Sequence, residues 1–235
     1  MCSSDLLLSQ VDASIGGKTG VNLGEYKNIL GTFRQPEFVL CDHEMLSTLS
    51  DEEFRSGLGE LLKHGAIRDR NLFFDVAAAA DRLSSRDPRI LGDFIMRAVR
   101  IKAGVVKRDP LEKGLRRILN FGHTFGHVLE THYKIPHGMA VAQGMIIAAE
   151  LSVWKGEMPH SELRLLQVTM EKTGLLTDYR LPAGVVNMMA KDKKSEAGSL
   201  NFVLLRMIGK AIVRIIPVTE LQAFVSYYNE KQDSG

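Results

Sequence analysis

At 235 residues, with 45% hydrophobic and 25% charged side chains, the chain is long enough for one large or two small globular domains. A formal charge of +2, and no basic cluster longer than Lys191, Lys193 and Lys194, exclude nucleic acid as the expected partner and point to a small anion instead. Cys2 and Cys41 form neither a disulfide framework nor a Cys-x-x-Cys pair, no apolar run has the roughly 18 residues of a membrane span, and no signal pattern opens the chain, so a cytoplasmic protein without membrane contacts is expected, with His and carboxylate ligands for any metal.

Residues 1–6, MCSSDL, coincide with one reading frame of a common sequencing-adapter end and are expected to be a non-native scar. The following stretch QVDASIGGKTGVN (10–22) contains a Gly-Gly-Lys-Thr run. A P-loop needs a glycine five positions before Gly17, and the chain has Asp12 there, a carboxylate that repels phosphate. EFVLCD (37–42) reads as a short buried strand. From Ser50 the period becomes helical: Ser50 and Glu53 form a capping box, and Phe54, Leu58, Leu61 and Leu62 make an apolar stripe up to Ile67. Further helices are predicted over 70–84, 89–107, 119–133, 138–155, 161–174 and 182–190. NFVLLRMIGKAIVRII (201–216) has two β-rich runs around Ile208-Gly209-Lys210 and predicts a hairpin, after which Thr219 and Gln222 cap a last helix. The pattern is mainly α: a multihelical domain with a small β-hairpin.

Chemistry concentrates in FGHTFGHVLETHYKIPH, which holds four of the seven histidines. His123 and His127, four apart, share a helix face with Asn120 and Glu130 above and below. Such a pair either grips one metal or divides into a ligand and a proton carrier. His137 follows Pro136 and is presented at the mouth of the next helix. Glu60 and Lys63 lie on a side apart from the apolar stripe of their helix, as a solvated pair or, for Glu60, as the third ligand of a two-His zinc site. Lys102 interrupts the stripe of Leu91, Ile95, Ala98 and Val105, and either snorkels to water or meets an anion. Arg116 lies one turn before Asn120, whereas Arg117 is expected to face solvent. Lys18, Lys63, Lys102 and Arg116 together suit a multiply charged anion.

QVDASIGGKTGVN, YKNILGTFRQP, GLGELLKHG, GLRRILNFGHTFGHVLE and HGMAVAQGM occur in the order and at about the spacing of the 3-dehydroquinate synthases, sugar-phosphate cyclases of the shikimate pathway to aromatic amino acids, and the chain resembles that family from Leu7 to its last helix. The resemblance implies an NAD- and metal-dependent, phosphate-eliminating carbon–oxygen lyase that cyclises a phosphorylated keto-sugar acid, DAHP, to 3-dehydroquinate. It implies zinc (Co2+ as an alternative) on Glu60, His123 and His137, catalytic roles for His127, Glu112 and Lys63, and substrate contacts from Asp12, Lys18, Asn28, Lys102, Arg116, Asn120 and Lys193. Lys27, Met45, Leu46, Ser47, Thr48 and Ser56 match NAD contacts. Residues 7–49 then correspond to a remnant of an N-terminal α/β nucleotide-binding domain and interdomain loop, and 50–235 to a helical metal- and substrate-binding domain. Two departures stand out: Met139 where the family commonly has Glu, and Asp5-Leu6 where it has Thr-Thr at the end of the nucleotide-binding domain. Weak NAD binding and little turnover are expected of the chain by itself, and a homodimer of the full-length form. The rival readings are an inosose or valiolone cyclase, a metal-dependent polyol dehydrogenase, and a non-catalytic zinc-binding fragment.

Overall fold

The computed structural model describes residues 2–3, 6–23, 26–83, 85–177, 179–192 and 198–233, with only the backbone described at 2–3, 21–23, 26–30 and 190–192. The first part holds β1 (Cys2–Ser3), a π-helical turn at Ser9–Ala13, β2 (Val21–Leu23), β3 (Tyr26–Leu30), β4 (Val39–Leu40) and a 3-10 turn at His43–Thr48. β1 pairs in parallel with β4, and β2 antiparallel with β3. The strand expected over 37–42 is thus confined to two residues, and Phe38 and Leu40 are exposed, because its partner among the described residues is equally short. The Ser9–Ala13 turn packs on the helices that follow and buries Leu7 and Val11, which carries Asp12 inward.

α1 (Asp51–Arg68) begins where Ser50 Oγ accepts the Glu53 N–H (3.2 Å), and its first turn carries Asp51, Glu52 and Glu53 at the positive end of the helix dipole. The expected stripe is buried, and so is the rest of the helix from Ser56 to Ile67, since α1 runs through the middle of the domain. The helix expected over 70–84 breaks at Ala79 into α2 (Arg70–Ala78) and α3 (Ala80–Leu83). α4 (Pro88–Arg108) is capped by Asp87, with proline in its first turn, and packs on α1.

The helix expected from 119 starts later. Leu115–Asn120 is a 3-10 turn, and Gly122 enters α5 (His123–Tyr133) with φ +82°; a Cβ there would also lie 2.6 Å from the Val141 carbonyl. α6 (His137–Trp154) is apolar on nearly every side and is buried among α1, α5, α7 (His160–Lys172) and the hairpin. α8 spans Val185–Asp192, a few residues later than expected. β5 (Ser199–Met207) and β6 (Lys210–Pro217) form the expected hairpin in the register Val203↔Val213, and α9 (Val218–Asp233) follows directly. Thr219 therefore lies inside the first turn of α9 rather than capping it.

Glu162 on α7 fastens the hairpin turn: it accepts the Ile208 N–H (2.9 Å) and a bond from Arg70 (2.7 Å), while the Gly209 N–H reaches the Ala66 carbonyl (2.7 Å). Replacing Glu162 with Ala leaves a turn amide without its acceptor and should cost about 1–3 kcal/mol in chemical denaturation. The hydrogen bond from Arg70 is the largest influence on the Glu162 carboxyl and, with the Ile208 amide and the Arg70 charge adding to it, holds the group below its ordinary pKa against the opposing effect of burial. Its contribution is therefore complete above the unfolded value of about 4.3 and is lost as pH falls through the lower folded value, so the variant should lose less stability on acidification than the parent.

Candidate active site

The contact between α1 and α6 builds the centre. A Cβ on Gly138 would sit 1.7 Å from the Ser56 carbonyl oxygen, so only glycine lets the two backbones meet, and the Gly138 N–H donates to Ser56 Oγ (3.0 Å) in that contact. Ser56, an expected NAD contact, is thereby buried. Glu60 follows one turn along α1, and His137 adjoins Gly138 on α6.

Glu60 is fully buried, and its Oε1 has no hydrogen-bond partner among the described residues. That oxygen lies 3.5 Å from Nε2 of His123 and 3.5 Å from Nε2 of His137. The other ring nitrogens are engaged: His123 Nδ1 donates to the Phe121 carbonyl (3.2 Å) and His137 Nδ1 to Glu130 Oε2 (3.0 Å). Both rings thus turn Nε2 toward one buried carboxylate oxygen, the arrangement in which metal-binding histidines are commonly held. Two ligands each about 2.1 Å from a tetrahedral ion stand about 3.4 Å apart, so the donor set fits a divalent ion such as zinc.

Electrostatics favour the donor state at Glu60 and His123, whereas His137 has to lose a proton before it can serve as a ligand. Burial, with Asp12 adding to it, disfavours the Glu60 carboxylate, but the opposing influences, Lys63 first among them, keep the group ionised. Burial, with Lys63 adding to it, pulls His123 down to about 3, which leaves a neutral imidazole with a lone pair on Nε2. His137 is pushed up to about 9 because Glu130 and Glu60 together overcome its burial.

Beside this centre, Asp12 gathers the cations. Its carboxylate accepts from Lys63 (3.2 Å) and lies 2.9 Å from the Lys102 ammonium and 3.1 Å from His64 Nε2. Burial opposes its charge, yet Lys63 and Lys102 hold it well below the usual carboxylate range. The anion that the stripe-breaking Lys102 meets is therefore Asp12, and burial is what lowers the Lys102 pKa against that pairing. Lys63, with Glu60, is no solvated pair: its side chain is 1% exposed.

The four expected anion-binding cations do not all converge. Lys18 pairs with Glu112, whose other oxygen accepts from Asn120 (2.6 Å). Arg116 is turned inward onto the carbonyls of Gly16 (2.8 Å) and Pro110 (2.7 Å). Asp109 shapes this loop by accepting the N–H groups of Lys113, Gly114 and Arg116, and Glu112 adopts a left-handed φ of +58° within it. Arg117 is not solvated as expected but half-buried, and it reaches Asn201 (3.3 Å) across a cleft of about 330 Å³ that Glu112 and Asn120 also line.

Met45, Leu46, Ser47 and Thr48 occupy the 3-10 turn before α1; Leu46 is buried in the core, and the other three are exposed. Lys27 and Asn28 lie on β3, where only the backbone is described, and Lys193 falls outside the described residues. His127 stands with Glu130 one turn further along α5, its ring centroid 5.4 Å from that of His123. Sequence reasoning gave no role to His64 or Glu130. The signals were present, because His64 is four residues after Glu60 and Glu130 three after His127, but spacing does not say which neighbouring helix each side chain meets.

Two substitutions test this construction. Gly138→Ala should separate α1 from α6, costing about 1–3 kcal/mol of stability and at least about tenfold in zinc affinity. Glu130→Gln should keep the fold and weaken zinc binding by about 10–100-fold, measured by competition with a chromophoric chelator.

Family models describing the N-terminal and C-terminal parts of 3-dehydroquinate synthase match residues 3–56 and 57–195. Curated 3-dehydroquinate synthases from two strains of Acidithiobacillus ferrooxidans are 44% identical over 231 residues, covering 94% of this chain, and the chain spans 64% of their length. Among solved structures, a 2-epi-5-epi-valiolone synthase from Streptomyces hygroscopicus subsp. jinggangensis with NAD+ and Zn2+ bound superposes with a TM-score of 0.85 at 29% identity, over 97% of this chain and 65% of that one. A 2-deoxy-scyllo-inosose synthase complexed with carbaglucose-6-phosphate, NAD+ and Co2+ superposes with a TM-score of 0.81 at 27% identity, over 95% of this chain and 65% of that one. With the histidine-rich centre and the lysine cluster in place, these matches establish that the chain belongs to the 3-dehydroquinate synthase family.

Proposed function

We propose that this chain supplies the metal- and substrate-binding part of a 3-dehydroquinate synthase that cyclises DAHP with loss of phosphate, residues 50–235 forming that domain and 7–49 belonging to the α/β nucleotide-binding part. The observation that carries the proposal is the buried Glu60 oxygen facing His123 and His137 beside the Asp12, Lys63 and Lys102 cluster. Identity to the curated synthases, well above that to the two cyclases, favours DAHP over other sugar phosphates.

Glu60, His123 and His137 would hold a divalent ion, which when bound would supply polarisation of a substrate hydroxyl, as bound NAD+ would supply a hydride acceptor. The remaining work belongs to side chains. Asp12 keeps Lys63 and Lys102 in place, and these two cations, with Lys18, meet the carboxylate and phosphate of the substrate. We assign His127, on the same helix as His123, to proton transfer, together with Glu112, which Asn120 holds by a hydrogen bond. Substrate oxygens would take over Lys18 from Glu112, leaving that carboxylate available as a base.

The test is turnover by the chain extended at its N-terminus with the upstream segment of the Acidithiobacillus synthase. Phosphate release should depend on DAHP, NAD+ and a divalent ion, and Lys102→Ala should lower kcat/KM by about 100-fold. Turnover of a hexose 6-phosphate but not DAHP would replace this reading with the inosose-type one.

A further inference from the structure

We propose that the protein has a second binding site for a borderline divalent ion such as Zn2+ or Co2+, made by His127, Glu130 and Nδ1 of His137. These three residues offer donor atoms that all lie within 4.8 Å of one another, as do those of Glu60, His123 and His137. The two sets share His137, which uses opposite ring nitrogens: Nε2 faces Glu60 at 3.5 Å and Nδ1 faces Glu130 at 3.0 Å. His127 and Glu130 are three apart on α5 and so project together, and the rings of His127 and His137 lie with centroids 6.0 Å apart. One carboxylate and two imidazoles match the ligand preference of a borderline ion and leave a position open to solvent.

The site lies at the rim: the His137 side chain is 30% and the Glu130 side chain 16% exposed, against 0% for Glu60. An ion can therefore reach it from water after the inner site is filled. Binding at the outer site would replace the Nδ1 proton that His137 now donates to Glu130, as the inner ion would already have replaced the Nε2 proton; both protons leave to solvent, and His137 would serve the two ions as an imidazolate. No oxidant or reductant is involved. Repulsion between two like-charged ions makes the outer one weaker. Filling it also ties up His127, so excess ion silences the proton transfer assigned to that residue above. The inference depends on the Glu60 centre only through the shared His137.

Calorimetric titration of the metal-free chain with Zn2+, repeated with Co2+ while following its visible absorption, tests the site. The parent should bind two equivalents, the second at least about tenfold more weakly because of ion–ion repulsion. His127→Gln and Glu130→Gln should each leave one equivalent, and His123→Gln should abolish the tight event while retaining the one that needs His127. A titration in which no equivalent is lost on His127→Gln overturns the proposal. Failure of the Glu60 reading looks different: the His127-dependent equivalent remains, and none depends on His123.

Discussion

Backbone contact between α1 and α6 is the constraint on which the geometry of the candidate site depends. Helices with ordinary side chains at the contact stand about 8–10 Å apart at their axes. Here Gly138 removes the side chain that would meet the Ser56 carbonyl, and the Ser56 hydroxyl satisfies one of the unpaired amides of the first turn of α6. Glu60 and His137 are therefore brought to 3.5 Å from opposite helices. Gly122 plays the matching part between α5 and α6, and it also redirects the chain so that His123 opens a helix instead of continuing one. Three helices contribute one candidate metal donor each, and the accuracy of the set comes from backbones rather than from flexible side chains.

The second constraint is charge. Buried ions are costly unless each meets a partner, and the interior around α1 holds Glu60, Lys63, Asp12 and Lys102 within one alternating network, with His64 close beside Asp12. The network spans three separate segments: the Ser9–Ala13 turn, α1 and α4. It fastens the glycine-rich stretch to the helical domain, and it presents lysines whose charge is already desolvated and oriented. Cations held in this way need little reorganisation to meet an anion. Arg116 differs, because its guanidinium is spent on backbone carbonyls and orders the Gly16 and Pro110 loops against each other.

Much of the helical framework was legible from local pattern. The Ser50 cap, the α1 stripe and the β5–β6 hairpin follow from short-range rules, and the structure bears them out. The misjudged boundaries have physical causes. Gly122 looked tolerable inside a helix, but its close approach to Val141 imposes a left-handed turn. The run 37–42 has strand-like residues, yet a strand's burial depends on neighbours far along the chain. Arg117 looked solvated because nothing local shows that Asn201 stands opposite.

The site divides along the same line. From the sequence by itself come the density of histidines, the i,i+4 relation of His123 and His127, the exclusion of a P-loop by Asp12 and the oddity of Lys102 in an apolar stripe, because these depend on residue type and helical period alone. Only the tertiary structure decided that Glu60 is wholly buried and faces His123 and His137, that Asp12 is the partner of Lys102, and that Glu130 and His64 belong to the constellation. Those facts rest on contacts between segments up to 90 residues apart. Periodicity fixes which way a side chain leaves its own helix, and only packing fixes what it meets.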